Sequence, residues 1–179
     1  ASPMLWDPLR YLESCPSSDG ACAIVLTDEA GGKEAAAAGR PPAWVLGTAS
    51  RSEPGAFPGR DPVRPAAVVD CSAHVYAQAG ITNPRRQLSM AELYVPFSWH
   101  EAIWLEGHGI AELGEGWRMI DNGDTEIGGS FPINCSGGVL SSNPIGASGL
   151  LRFAESALQV RGAAGEHQVE NAKVALAMA

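Results

Sequence analysis

The chain has 179 residues, 45% of them apolar and 18% charged, the composition of a folded domain rather than a disordered segment. Twelve Lys and Arg against 20 Asp and Glu leave a net charge of −8, the wrong sign for a nucleic-acid or anionic-membrane surface. No apolar run is long enough for a membrane span, and Ala1-Ser2-Pro3-Met4 lacks the charged-then-apolar pattern of a secretory signal, so a cytoplasmic location is expected.

Asp19-Gly20 supplies a turn before the apolar run Ala21 to Leu26, which has strand length and ends at Thr27-Asp28. Lys33 to Ala38 is alanine-rich and predicts one or two helical turns, stopped by Gly39 and Pro41-Pro42. Ala43 to Thr48 reads as a second buried strand. Residues 51–65 carry Pro54, Gly55, Pro58, Gly59, Pro62 and Pro65, the pattern of an ordered loop without a regular element. A helix follows from Ala66 to Gln78, with Val69, Ala73, Tyr76 and Ala77 on one face and Gly80 as its stop.

Leu88 to Tyr94 predicts a short strand. Pro96 breaks it, and a helix runs from Ser98 to Glu106 with the stripe Ala102, Ile103 and Trp104. Residues 107–130 are rich in glycine and acids and predict a surface excursion around a hairpin. Ser136-Gly137-Gly138 is a turn. Asn143-Pro144 then opens a long helix to Arg161, with Asn143 as side-chain cap and Pro144 at the first helical position. Leu151, Ala154 and Leu158, widened by Leu150, Phe153 and Ala157, form its apolar stripe opposite Arg152, Glu155 and Gln159. Asn171 to Ala179 supplies a last strand, Val174 to Met178. Strands separated by helices give an α/β fold, a mixed β-sheet with helices on both faces.

The four cysteines, Cys15, Cys22, Cys71 and Cys135, have no C-x-x-C spacing and the four histidines are scattered, which removes the usual metal signatures. Reduced, mostly buried thiols are expected. Asn134-Cys135-Ser136 matches a glycosylation triplet that means nothing without secretion.

Three stretches could carry chemistry. Ser136-Gly137-Gly138 with Ser141 to Gly149 offers glycines that let backbone approach a ligand, and the free N–H groups of a helix start. Spacing alone favours close packing of Gly146, Ala147 and Gly149 on a neighbour, since no phosphate-loop lysine follows. Glu92 to Ser98 ends a strand before a helix, where side chains often enter a cleft, although a buried tyrosine is more often a core residue. His100, Glu101, Glu106 and His108 fit no ligand spacing, because Trp104 stands where a second histidine would be needed. They read as a solvated helix edge.

These residues resemble the C-terminal half of the thiolase superfamily, above all the sterol-carrier-type thiolases and the bacterial thiolase-like lipid-transfer proteins. Asp7-Pro8-Leu9 with Ser18 to Ala23 is similar to the end of the family's N-terminal domain, which implies residues 1–28 as its tail and 29–179 as the C-terminal-type domain. Glu92 to Phe97 resembles the stretch that carries an Asn or His before an acid and a Phe. Asn134 to Gly149 resembles the N-x-S-G-G … G-H-P-I-G-A-S-G signature.

The departures from that pattern define the expected chemistry. The half bearing the family's nucleophilic cysteine is absent, and neither Cys22 nor Cys135 stands at a catalytic-cysteine position. Ala179 falls just before the Gly-rich segment carrying the second catalytic element. Asn143 stands where the family has its activating histidine, and Tyr94 where it has an Asn or His near the thioester oxygen. An amide does not titrate near pH 7, so Asn143 is no substitute for imidazole.

Such replacements resemble the subgroup that cleaves carbon–carbon bonds of steroid side-chain CoA thioesters by retro-aldol chemistry. The resemblance implies Tyr94 and Asn143 as catalytic residues, and Ser136, Gly137, Gly138 and Gly146 as substrate-binding residues. It implies coenzyme A thioester as substrate, with no permanently bound cofactor and no metal. As partners it implies the missing N-terminal half or a partner chain, a homodimer, and an OB-fold and zinc-ribbon protein. The alternative is a non-catalytic CoA-thioester or lipid binding and transfer protein of the same fold.

Overall fold

Strand β3 (Met90–Glu92) pairs in parallel with β4 (Ala175–Ala177), in register Met90 to Ala175 and Glu92 to Ala177. All three residues of β3 are buried, as expected of a parallel strand covered on both sides. The pair is extended by Ser89 N donating to Val174 O, by Met178 N donating to Glu92 O, and by a parallel bridge from Ala91 to Ile133. The computed structural model describes residues 2–53, 55 and 60–179. Pro54, Pro58 and Gly59 of the expected loop lie outside the described residues.

The remaining elements, in chain order, are a small antiparallel pair, β1 (Met4–Trp6) and β2 (Leu9–Arg10), then α1 (Glu29–Ala37), α2 (Ala66–Ala79), α3 (Pro84–Gln87), α4 (Trp99–Gly107), α5 (Gly116–Asp121), α6 (Gly138–Ser141) and α7 (Ser148–Val160). The fold is α/β, as expected. Its core gathers Leu93 and Val95 beyond β3, Leu105 of α4, Phe131 and Val139, all but fully shielded from water. Side chains of this size contribute about 1.5–3 kcal/mol each when buried.

Several expected elements are shifted or absent. Ala21 to Leu26 forms no strand: Val25 is 93% and Leu26 77% exposed, and no strand pairs with them among the described residues. An extended run without a neighbour has nowhere to place its backbone hydrogen bonds. Ala43 to Thr48 likewise forms no strand. It is strapped to the end of α2, where Thr48 N donates to Gln78 Oε1 and Gln78 Nε2 donates back to Thr48 O. In α1 the cap is Asp28, which accepts from Gly31 N, so the helix starts four residues before Lys33.

Gly80 ends α2 at φ 69°, as expected. The buried face of that helix is Ser72 and Tyr76 rather than Val69, Ala73 and Ala77, which are exposed. In α4 only Leu105 is fully buried, beside the half-buried expected stripe. The 107–130 excursion contains helix α5 and no hairpin.

The largest correction concerns the long helix. It begins at Ser148, not at Pro144, with Ala147 as cap and no side-chain cap bond. Its faces are also inverted. Ser148, Arg152, Glu155, Ser156 and Gln159 are buried, whereas Leu150 is 42% exposed and Leu151, Phe153, Ala154, Ala157 and Leu158 are half-buried. The polar residues go inward because most find partners there. Arg152 meets Glu92 of β3, Glu155 meets His167, and Gln159 accepts from Val169 N while donating to His167 O. Gly149 permits the close fit of α7 on the segment that follows the final strand, since a Cβ there would lie 2.5 Å from the Cβ of Ala179. Gly146 has open space instead.

Candidate active site

Tyr94 and Asn143 come together. The Tyr94 hydroxyl lies 3.5 Å from Asn143 Oδ1, across 49 residues of sequence. Tyr94 follows β3 on the way to α4 and is half-buried, its carbonyl accepting from Trp104 Nε1 at 2.6 Å. Asn143 is 3% exposed and is not a helix cap. Its Oδ1 accepts from Ser148 Oγ at 2.6 Å, its Nδ2 donates to Cys15 Sγ at 3.2 Å, and its N–H donates to Ser18 Oγ. The helix start expected to point at a ligand therefore belongs to Ser148, and the amide N–H that could hold a thioester oxygen faces a thiol.

The segment carrying Cys15 is fastened beside Tyr94. Cys15 N donates to Pro96 O at 2.9 Å, Ser98 N donates to Glu13 O, and Ser14 forms an antiparallel bridge with Phe97. Cys15 has no motif around it, and only this tertiary pairing brings it to the site.

A cleft of about 500 Å³ opens next to this network. Residues 18–22 form one wall and Pro144 to Ala147 with Leu150 the other, so Gly146 borders it. Ser18, which holds Asn143's backbone, is in the wall, but Tyr94 and Asn143 are not among its lining residues.

The Ser136-Gly137-Gly138 turn is tied to β3 instead. Leu93 N donates to Asn134 Oδ1 at 2.7 Å, and Glu92 takes Ser136 N at 3.1 Å and Ser136 Oγ at 2.7 Å. Gly137 stands at φ 90° and Gly138 at φ 60°, and a Cβ on Gly138 would meet Asn134 at 3.0 Å. Ser136 thus spends its hydroxyl on Glu92, and only Gly137 of the three is exposed. Burial raises the Glu92 carboxyl above its ordinary value, against the pull of Ser136 and Arg152. The same burial, helped by Glu92 and Glu155, pushes the Cys135 thiol up to about 11.

The expected solvated edge is not one. His108 is fully enclosed, with Nδ1 2.8 Å from Ser72 Oγ and Nε2 3.1 Å from Met178 Sδ. Loss of water drops its pKa to about 4. Burial also lowers His100, which lies among Phe97, Trp99 and Trp104, and raises Glu101. All four cysteines are free, but only Cys135 is fully buried. No helix is long and apolar enough to cross a membrane among the described residues.

Comparison with known proteins gives a consistent pattern. The thiolase C-terminal domain-like family profile matches residues 51–179. The chain is 33% identical to human sterol carrier protein 2 over 180 residues, covering 98% of this chain and 32% of that protein. It is 34% identical to the acetyl-CoA acetyltransferase of Methanothermobacter thermautotrophicus over 177 residues, covering 98% of this chain and 45% of that one. The fold is shared with a chain of the Ltp2-ChsH2(DUF35) aldolase, at a TM-score of 0.75 and 24% identity over 96% of this chain and 44% of that one. The chain therefore spans 32–45% of the length of these relatives.

Proposed function

The chain belongs to the thiolase superfamily, as a C-terminal domain-like half, and from that premise we propose that it forms one side of an acyl-CoA site where carbon–carbon bonds are cleaved or formed. The observation that carries this reading is the Tyr94–Asn143 contact. Two residues distant in sequence meet, both at positions where the sequence resemblance implies the family's activating groups, and one of them can transfer a proton. The missing imidazole argues against ordinary thiolysis, because neither Asn143 nor a neutral phenol activates a thiol at pH 7.

The reaction that suits a tyrosine is retro-aldol cleavage of a β-hydroxyacyl-CoA. Tyr94 takes the β-hydroxyl proton, and a carbonyl forms there as the Cα–Cβ bond breaks. The electron pair moves onto the thioester as an enolate, and a proton returns to Cα. The products are a ketone or aldehyde and a shortened acyl-CoA. A phenol near its ordinary pKa of about 10 is a weak base, so donors must stabilise its anion for the step to run.

The N-terminal thiolase half, supplied by the same or another chain, covers the apolar side of α7 in this proposal. Residues 1–28 form the tail of that half's domain and 29–179 the C-terminal-type domain. A homodimer with an OB-fold and zinc-ribbon partner, working in the cytoplasm on steroid side chains, completes the proposal. The test uses a complete protein containing this chain with β-hydroxyacyl-CoA substrates. Tyr94→Phe should lower kcat by about 10²-fold or more, the usual scale of proton-transfer catalysis, with an unchanged Tm. Parent-rate turnover by Tyr94→Phe would overturn the role of Tyr94. Thioester binding without any product, in the unaltered protein, would favour a binding and transfer function instead.

A further inference from the structure

Asn143 has two ends, and each faces an ionisable group. Oδ1 accepts from Tyr94 at 3.5 Å and from Ser148 at 2.6 Å, while Nδ2 donates to Cys15 Sγ at 3.2 Å. The amide is 3% exposed, so water does not substitute for either partner. Ser148 cannot fix its orientation, since a hydroxyl donates or accepts equally well. The two arrangements of the amide are therefore distinguished only when Tyr94 or Cys15 is ionised and can do nothing but accept.

The geometry points to Cys15 as the group whose ionisation is coupled to that of Tyr94, through the side-chain amide of Asn143. This rests on the reading that Tyr94 transfers the proton. When Cys15 is a thiolate, Sγ only accepts, Nδ2 donates to it, and Oδ1 takes the O–H of a neutral Tyr94. When Cys15 keeps its proton, its sulfur no longer demands a donor, so S–H can serve Oδ1 and Nδ2 is released to turn to the Tyr94 oxygen. That second arrangement is the one able to stabilise a phenolate. Thiolate and phenolate then exclude one another, because a single N–H end serves whichever is charged. A rotation of one amide supplies the donor that a tyrosine base needs and that a fixed Oδ1 contact would deny.

Cys15 is placed for this by its backbone bond to Pro96 and by the neighbouring Ser14–Phe97 bridge. The ionisable groups on the segments round it are few. Glu13 and Asp19 lie on its own segment, residues 13–19; Tyr94, His100 and Glu101 lie on residues 94–101, and none lies on residues 143–148. Glu13 accepts from Arg10 N, and burial holds His100 below the ordinary imidazole value.

The test needs no turnover. With tyrosine labelled at Cζ with carbon-13, the Tyr94 resonance, assigned by its loss in Tyr94→Phe, is followed against pH. In parallel, alkylation of Cys15 is followed by peptide mass spectrometry to find the pH at which that thiol ionises. The Tyr94 signal should show an inflection at that pH. The inflection should vanish in Cys15→Ser, which keeps the size of the side chain but does not ionise in this range. It should also vanish in Asn143→Leu, which removes the amide; should that variant not fold, Cys15→Ser decides alone. A featureless Tyr94 signal across the ionisation of Cys15, or an inflection that survives either folded variant, would overturn the coupling. Turnover of Tyr94→Phe judges the catalytic reading separately, so the two failures are distinguishable.

Discussion

Arg152 Nη1 lies 3.2 Å from Glu92 Oε2, with side-chain exposures of only 6% and 0%. The pair joins the face of α7 to β3, and through Ser136 it also fixes the 134–138 turn. A buried ion pair of this kind contributes little beyond an apolar pair of the same shape, but breaking it strands a charge.

Arg152→Met should therefore cost about 3–5 kcal/mol near neutral pH in denaturant unfolding. The loss should shrink at acid pH, because the Glu92 carboxyl, already raised by burial, then takes a proton. The double variant Glu92→Gln with Arg152→Met should recover most of the loss. A double variant no more stable than Arg152→Met would show that the pair is not what α7 depends on.

Much of the fold was legible in the sequence, and the reason for the exceptions is physical. β3, β4, α2 and α4 follow from local periodicity and from Gly80 and Pro96 as stops. The orientation of α7 does not, since a stripe read against one core assigns the apolar side inward. Its apolar residues occupy more than half the circumference, leaving the narrow seam Ser148, Arg152, Glu155, Ser156 and Gln159. Such a seam on a helix otherwise apolar is the signal of a buried polar network, and it was available. Tyr94 and Asn143 were found from the motif that they replace. Cys15 was not, because its place is set only by the pairing of residues 13–15 with 96–98.

His108 makes stability fall on acidification. The unfolded imidazole binds a proton near pH 6.5, whereas the enclosed one refuses it until about pH 4. Between those values protons favour the unfolded chain, so His108 accounts for a loss of up to about 3 kcal/mol from pH 6.5 down to pH 4. Glu92 and Glu101, both raised, act with the opposite sign. The check is thus a difference: urea unfolding of the parent and of His108→Gln across this range. The variant should have the flatter acid limb; parallel curves would refute the assignment.

Thiol reactivity should separate the cysteines by environment. Under denaturing, non-reducing conditions a chromogenic disulfide should titrate four thiols, as all four are free. In the native protein Cys135 should react last, being buried and raised to about 11. Fewer than four thiols in the denatured sample, or an early reaction at Cys135, would contradict this arrangement.

The chain by itself should be adhesive. Leu12 is 71%, Ile145 74% and Val25 93% exposed, and the apolar side of α7 is half-open. Isolated, it should bind an apolar fluorescent dye and gain mass in light scattering as concentration rises, since apolar patches of more than a few hundred Å² seldom remain bare. A dye-silent monomer at high concentration would mean that these side chains do not form a joint surface.

The parallel pairing of β3 with β4 has a consequence for timing. Residues 90–92 find their strand partner only at residues 175–177, so everything between must be synthesised before the ladder can close. Contacts this distant along the chain set slow folding, and their late arrival leaves intermediate elements waiting. Tyr94 follows directly on β3, and Asn143 leads into α7, which packs on both strands. The pair at 94 and 143 is thus expected to settle late in folding, with the closing of that ladder.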